Sequence, residues 1–173
     1  DYKYWSKNFN LILKKQRHPF HEGSVMIPMA GKGKRFKNEG FITPKPLISI
    51  SGKPMVIQAL MDLPTAENNR IVLMDNLSNL SLLKEELHTI KRTNTKLIVL
   101  NNITDGQATT CVEGSKDLDQ NLPITISACD NGLKYNTNHF SKLMNSKEVD
   151  IIVWGIRGYP GAKRSPKMYG WID

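Results

Sequence analysis

Long apolar runs are missing from this sequence. Its most continuous ones, residues 25–30 and 151–154, fall far short of the roughly 20 residues that a membrane-spanning helix needs, so no membrane partner is expected. Cysteine is nearly missing too. Cys111 and Cys129 are too few for a disulfide framework, and both sit in apolar segments. None of His18, His21, His88 and His139 stands at metal-ligand spacing from them, so a zinc site is excluded and a reduced, cytoplasmic setting is expected. No charged-then-apolar leader opens the chain, which starts at Asp1 in place of Met, so no secretory signal is visible and further sequence upstream is expected. Internal repeats and low-complexity tracts are absent.

Composition narrows the class further. At 39% hydrophobic and 23% charged residues the chain sits near average usage, which excludes intrinsic disorder and a fibrous protein. Its 173 residues are enough for one domain with a buried core. Twenty-four Lys and Arg against 16 acids give a net charge of +8, which favours anionic partners without choosing among phosphate metabolites, nucleic acid and a membrane surface. A solvated basic surface is the plain alternative.

Hydrophobic periodicity alternates between strand and helix. Trp5, Phe9 and Ile12 recur at helical spacing before Pro19, so residues 1–22 read as a packing helix or linker. Strands are expected at residues 25–29, 70–74, 96–100, 123–128 and 149–154, with one more beginning over 167–173. Helices are expected over 54–63, 78–91, 106–118 and 137–146, with Asp105 and Thr137 as caps. Strands joined by helices predict an α/β fold: a doubly wound, mostly parallel, Rossmann-like sheet with helices on both faces. In such a sheet ligands bind beyond the carboxyl ends of the strands.

The sharpest segment is Met29-Ala30-Gly31-Lys32-Gly33-Lys34-Arg35-Phe36, directly after the first strand. Two glycines let the backbone turn tightly and bring its N–H groups onto an anion, while Lys32, Lys34 and Arg35 add three cations. Neither standard nucleotide fingerprint fits, because Phe36 stands where a dinucleotide fold wants glycine and no Gly-Lys-Ser/Thr ending is present. Ten residues on, Thr43-Pro44-Lys45-Pro46-Leu47 places Lys45 between two prolines that push Thr43 and Lys45 towards extended conformations and hold the lysine. Cys129-Asp130-Asn131-Gly132 ends a predicted strand, where Asp130 is either a turn residue or a ligand.

Taken in order, Gly31-x-Gly33-x-Arg35, Pro44-Lys45-Pro46-Leu47, Ser51-Gly52-Lys53-Pro54-Met55, Asp105-Gly106-Gln107-Ala108, Cys129-Asp130-Asn131 and Met168-Tyr169-Gly170-Trp171-Ile172-Asp173 resemble the sugar-phosphate nucleotidyltransferases, or nucleotide-sugar pyrophosphorylases, over residues 25–173. The resemblance implies transfer of a nucleotidyl group from a nucleoside triphosphate to a sugar phosphate, or to a phospho-alcohol such as phosphocholine, with release of pyrophosphate. It implies nucleotide contacts from Ala30, Gly31, Lys32, Gly33 and Gly106, with Arg35 and Lys45 on the phosphates as the catalytic cations. It further implies Mg²⁺ at Asp130 and sugar contact at Gly170. Lys34 and Cys129 depart from the family pattern, which commonly has a small hydroxyl residue and glycine there. The family's downstream part supplies a lysine for the acceptor phosphate and a second metal-binding aspartate, so residues 23–173 are expected to be the nucleotide-binding part of a domain that is incomplete at its C-terminus, inactive alone and open to self-association.

Two other readings compete. A glycosyltransferase using a finished nucleotide-sugar commonly holds its metal with two acids one residue apart, and Asp130-Asn131-Gly132 lacks the second. A non-catalytic nucleotide- or RNA-binding module would use the +8 charge, but aromatics are thinly interleaved with the basic residues and no RNA motif is present, so nucleic acid is disfavoured.

Overall fold

The computed structural model describes residues 18–163, 166–168 and 170. In chain order the elements are β1 (Phe20–Pro28), α1 (Lys34–Asn38), a 3-10 turn at Lys45–Leu47, β2 (Ser49–Ile50), β3 (Lys53–Pro54), α2 (Met55–Met61), β4 (Thr65–Met74), α3 (Leu80–Thr89), β5 (Thr95–Leu100), α4 (Gln107–Ser115), β6 (Ile124–Ile126) and α5 (Thr137–Met144). Two further 3-10 turns lie at Pro160–Lys163 and Pro166–Met168. The chain divides into two compact units, the first ending at Thr137 and the second beginning at Asn138.

Successive side chains of a strand point to opposite faces, so three adjacent buried residues require cover on both sides. β1 buries Val25, Met26 and Ile27, and β4 buries Ile71, Val72 and Leu73. These two strands are therefore the middle of the sheet, whose order is β5-β4-β1-β6 with every pair parallel. One face carries Val25, Ile27, Met29, Ile71 and Leu73, which cluster with Val56, Ile57 and Leu60 of α2 and Leu83 and Leu87 of α3. Burying each such side chain contributes about 1.5–3 kcal/mol. The opposite face carries Met26 and Val72, and α4 covers them at Gly114. The sheet is doubly wound with helices on both faces, as the alternation predicts.

Local chemistry sets the boundaries. Ser51 and Gly52 both have positive φ, as a two-residue hairpin turn between β2 and β3 requires. Pro54 caps α2, and the Leu63-Pro64 pair ends it. Buried Arg92 closes that end by donating to the carbonyls of Leu60, Leu63 and Pro64 and to Asn69 Oδ1, a favourable place for a cation at a helix C-terminus.

Several expectations are corrected. Residues 149–154 do not form a strand: 151–156 have no regular secondary structure, and Ile151 and Val153 are 80% and 69% exposed. An alternating apolar run becomes a strand only where a sheet edge takes its hydrogen bonds, and here Trp154 instead stacks on Phe140 of α5, ring centroids 5.5 Å apart. Lys167 and Met168 belong to a 3-10 turn, not to a new strand; Tyr169 and residues 171–173 lie outside the described residues, as does the helix expected near the N-terminus through residue 17. β1 begins at Phe20, inside the segment read as a linker. No helix among the described residues is long and apolar enough to cross a membrane.

Gly114 tests the two-sided packing. A Cβ there would lie 2.5 Å from Val72 Cγ2 and 3.0 Å from Met26 Sδ. Gly114→Ala gains up to about 1 kcal/mol of helix propensity. Val72 is β-branched and locked in the sheet, so the overpacking cost of about 1–3 kcal/mol exceeds that gain and denaturant unfolding will show a net loss.

A second test concerns α4's far end. Asp117, half exposed, accepts from Arg70 Nη1 and Lys96 Nζ, and these hydrogen bonds, Arg70's first, hold its carboxyl well below the usual carboxylate range. A carboxyl with a lowered native pKa stabilises the fold above its unfolded pKa, and that contribution is lost as pH falls below about 4. Asp117→Asn will flatten the acid limb of the unfolding midpoint against pH.

Candidate functional site

The chain lays down β1, then β4 and β5 outward on one side, and then returns through α4 to place β6 on the other side of β1. The winding reverses between β1 and β6, and the loops leaving their carboxyl ends diverge there to form a crevice. On the β1 side the Met29 N–H still donates to Val72 O at 2.8 Å, and Met29 and Ala30 are buried. Gly31 then leaves the sheet, exposed, with open space where a Cβ would stand. Gly33 turns the chain into α1 at φ 60°, a conformation that favours glycine.

The end of α1 is fixed by a glycine cap. Gly40, at φ 86°, donates its N–H to Lys37 O, and Phe41 N–H donates to Phe36 O at 3.0 Å. This is the paired-bond Schellman ending, and it brings the residue after the glycine back onto the last turn. The contact it makes is aromatic: Phe36 and Phe41 meet edge to face, 5.6 Å between centroids.

Lys45 opens the 3-10 turn, not an extended stretch, because Leu47 N–H closes onto Pro44 O at 2.8 Å, while buried Pro46 and Leu47 anchor the turn. Pro46 has no N–H to leave unpaired in so tight a bend. The lysine is held, as its flanking prolines predict, but by a turn. Its Nζ reaches Asp130 Oδ2 at 2.5 Å, and it lies 5.5 Å from the centre of the Phe36 ring. A Cβ on Gly33 would stand 3.7 Å from Lys45 Cβ, so the glycine loop runs along the lysine stem.

Asp130 arrives from the other side of the crevice. Ser127 N–H still donates to Met26 O at 3.1 Å, Cys129 is buried, and Asp130 follows at the mouth. Burial pushes the Cys129 thiol up, which keeps it neutral and unsuited to nucleophilic work. Among the described residues, Lys45 meets the Asp130 carboxylate through Oδ2. No three His, Cys, Asp or Glu residues gather as a ready-made metal cage among the described residues.

Gly33, Lys45 and Asp130 are thus brought together. Lys32 and Arg35 lie exposed on the same loop and helix, within the same stretch of chain. Gly106, at φ 91°, starts α4 at the same carboxyl edge of the sheet, exposed and with room where a side chain would be. Gly170 is exposed in the second unit. The sequence reading missed Phe36 and Phe41 as parts of the site, although Gly40-Phe41 following a helical turn was a readable Schellman signal.

No protein-family model matches this sequence, and no curated protein matches it in sequence. Among solved structures, the chain is similar to the nucleoside-diphosphate-sugar pyrophosphorylase from Vibrio cholerae RC9, with a TM-score of 0.52 and 19% identity over 68% of this chain and 52% of that one. The two share a fold. This chain spans about half the length of that pyrophosphorylase. The mostly parallel α/β sheet is therefore of the nucleotide-sugar pyrophosphorylase kind, with the crevice just described at its point of reversal.

The Lys45–Asp130 pair is partly exposed, and pairs of that kind contribute about 0–1 kcal/mol to stability. Lys45→Met, Asp130→Asn and the double variant will each unfold within about 1 kcal/mol of the unsubstituted chain, with a coupling below about 1 kcal/mol in a double-mutant cycle. The pair is then available for functional tests in a folded protein.

Proposed function

We propose that this chain binds a nucleoside triphosphate in the β1–β6 crevice and directs its nucleotidyl group to a phosphorylated acceptor, a sugar phosphate or phospho-alcohol, with pyrophosphate leaving. The observation that carries the reading is the Lys45–Asp130 contact at 2.5 Å, one cation and one carboxylate from different loops meeting at the switch point beside a glycine turn. The fold of the Vibrio pyrophosphorylase supports it.

The chemistry asks for little else. An acceptor phosphate oxygen attacks the α-phosphorus in line with departing pyrophosphate, and the obstacle is the negative charge that develops on the phosphoryl oxygens. Backbone N–H groups of the loop after Ala30 can donate to the triphosphate, and Gly31 and Gly33 let it come close. Lys45 and Arg35 supply positive charge, Arg35 as a planar fork that can take two phosphate oxygens. Gly106 leaves room at the start of α4 for the base. No general base is needed, because a phosphate nucleophile is already ionised.

The donor set also fits Mg²⁺, an ion commonly held by one or two carboxylates with phosphate oxygens and water completing its shell. Asp130 offers the carboxylate. When bound, the ion would withdraw charge from the phosphate oxygens. Lys45 would then turn from Asp130 to the triphosphate.

Calorimetry of the four nucleoside triphosphates with Mg²⁺ tests the reading, and at least one will bind at millimolar concentration or better. Arg35→Ala will weaken triphosphate binding by about 10-fold or more, and monophosphate binding by less, because charge-assisted hydrogen bonds to the outer phosphates are lost. Asp130→Asn will abolish the dependence of binding on Mg²⁺ with the fold intact. No triphosphate binding, with salt-sensitive RNA binding in its place, would overturn the proposal.

A further inference from the structure

The Phe36 ring has no assigned part in the site, yet its placement is over-determined. It sits in α1, one turn after Gly33, and the Gly40 cap returns Phe41 against it, edge to face, with centroids 5.6 Å apart and planes at 69°. The Lys45 ammonium lies 5.5 Å from the ring centre, within the range where a cation is attracted by the electron-rich face of an aromatic ring. Edge-to-face packing of this kind is favourable, so Phe41 fixes the orientation of the Phe36 ring. Among the described residues, the ammonium therefore lies over the Phe36 ring and on the Asp130 carboxylate.

These contacts answer a difficulty in Lys45's task. A lysine head on a flexible four-carbon stem loses rotamer entropy when it is held at one point, and only the stem's base is fixed by the Pro44-to-Leu47 turn. When a cation takes Asp130, the ammonium loses its counter-ion and must stay at the crevice to meet the phosphates. A ring face can hold a cation without consuming any of its three hydrogen-bond donors. Phe36 is suited to keep Lys45 in place through that exchange.

We infer that Phe36 is a positioning residue for Lys45: its ring face, braced by Phe41, holds the ammonium at the β1–β6 crevice on Asp130 in the empty site and on the triphosphate in the filled one. This rests on the proposed triphosphate site. The competing account is that Phe36 and Phe41 only supply the hydrophobic contact that accompanies a Schellman ending.

Progressive fluorination separates the two, because it drains the ring's negative face while nearly conserving its shape. Phe36 is replaced, site-specifically, by 4-fluoro-, 3,5-difluoro- and 3,4,5-trifluorophenylalanine, and binding of inorganic tripolyphosphate with Mg²⁺ is followed by calorimetry. With Asp130 taken by the cation, the ring's hold on the ammonium counts for more in the filled site than in the empty one, so the Kd is expected to rise stepwise, by about 2- to 5-fold across the series, and Phe36→Tyr to bind as the unsubstituted chain does. Unfolding followed without ligand supplies the control: the midpoint denaturant concentration falls along the series with Lys45 present and stays level in the Lys45→Met background. A level Kd across the series with tripolyphosphate still binding, or equal slopes of stability in both backgrounds, overturns the positioning role and leaves the triphosphate site standing. Failure of the unsubstituted chain to bind tripolyphosphate or any nucleoside triphosphate removes the site itself, and this role with it.

Discussion

A strand buried on both faces has to be covered twice, and that requirement organises the first unit. β1 and β4 present apolar side chains in both directions, so a single layer of helices would leave Met26 and Val72, or Val25 and Ile71, in water. Covering the first face uses α2 and α3; covering the second uses α4, which has to come back across the sheet to do it. The return places β6 beside β1 instead of beside β5, and that reversal opens the crevice. The candidate site is in this sense a consequence of the core, and Gly114, which lets α4 press onto Val72 and Met26, is as much a condition for it as any residue in the crevice.

Electrostatics then decides what the crevice can hold. The chain carries +8 overall, yet the group facing Lys45 is an acid, so the mouth of the crevice pairs opposite charges where a merely basic surface would repel its own lysines. In the proposed complex a triphosphate would bring negative charge for the lysine, and a divalent cation positive charge for the aspartate. Each can replace the partner the other removes, so neither Lys45 nor Asp130 is left as an unpaired charge once both have arrived.

Much of the first unit's architecture can be read from the chain because its cues are local. Residues 25–29, 70–74 and 96–100 read as strand-length runs, and Leu80, Leu83 and Leu87 share one helical face; apart from Met29, one residue past β1, all of these lie in the elements expected of them. The failures have the opposite character. Residues 149–154 have a strand's composition, but a strand exists only with a partner, and no partner is written in the segment itself. Its neighbours' φ restrictions predict an extended Lys45, whereas the burial of Pro46 and Leu47, a tertiary effect, bends it into a turn. The Lys45–Asp130 pairing joins positions 85 residues apart, and no spacing rule connects them. The glycine loop is legible as a motif, and the resemblance links it to Lys45 and Asp130.

The parts of the crevice differ in how much sequence they require, and this bears on why similarity of fold can accompany 19% identity. Backbone N–H groups at Gly31 and Gly33 need only the absence of a side chain, and any chain that reverses between its first and fourth parallel strands supplies the crevice. One ammonium and one carboxylate complete the charges. The cap adds a further economy, since Gly40 through two backbone hydrogen bonds sets Phe41, Phe41 sets Phe36, and Phe36 meets the ammonium, so a helix ending and the crevice lysine are held by the same turn. Change at Gly40 would therefore reach Lys45 through three contacts without touching it. The rest of the surface is free to diverge, because neither the reversal nor the charge pair depends on it.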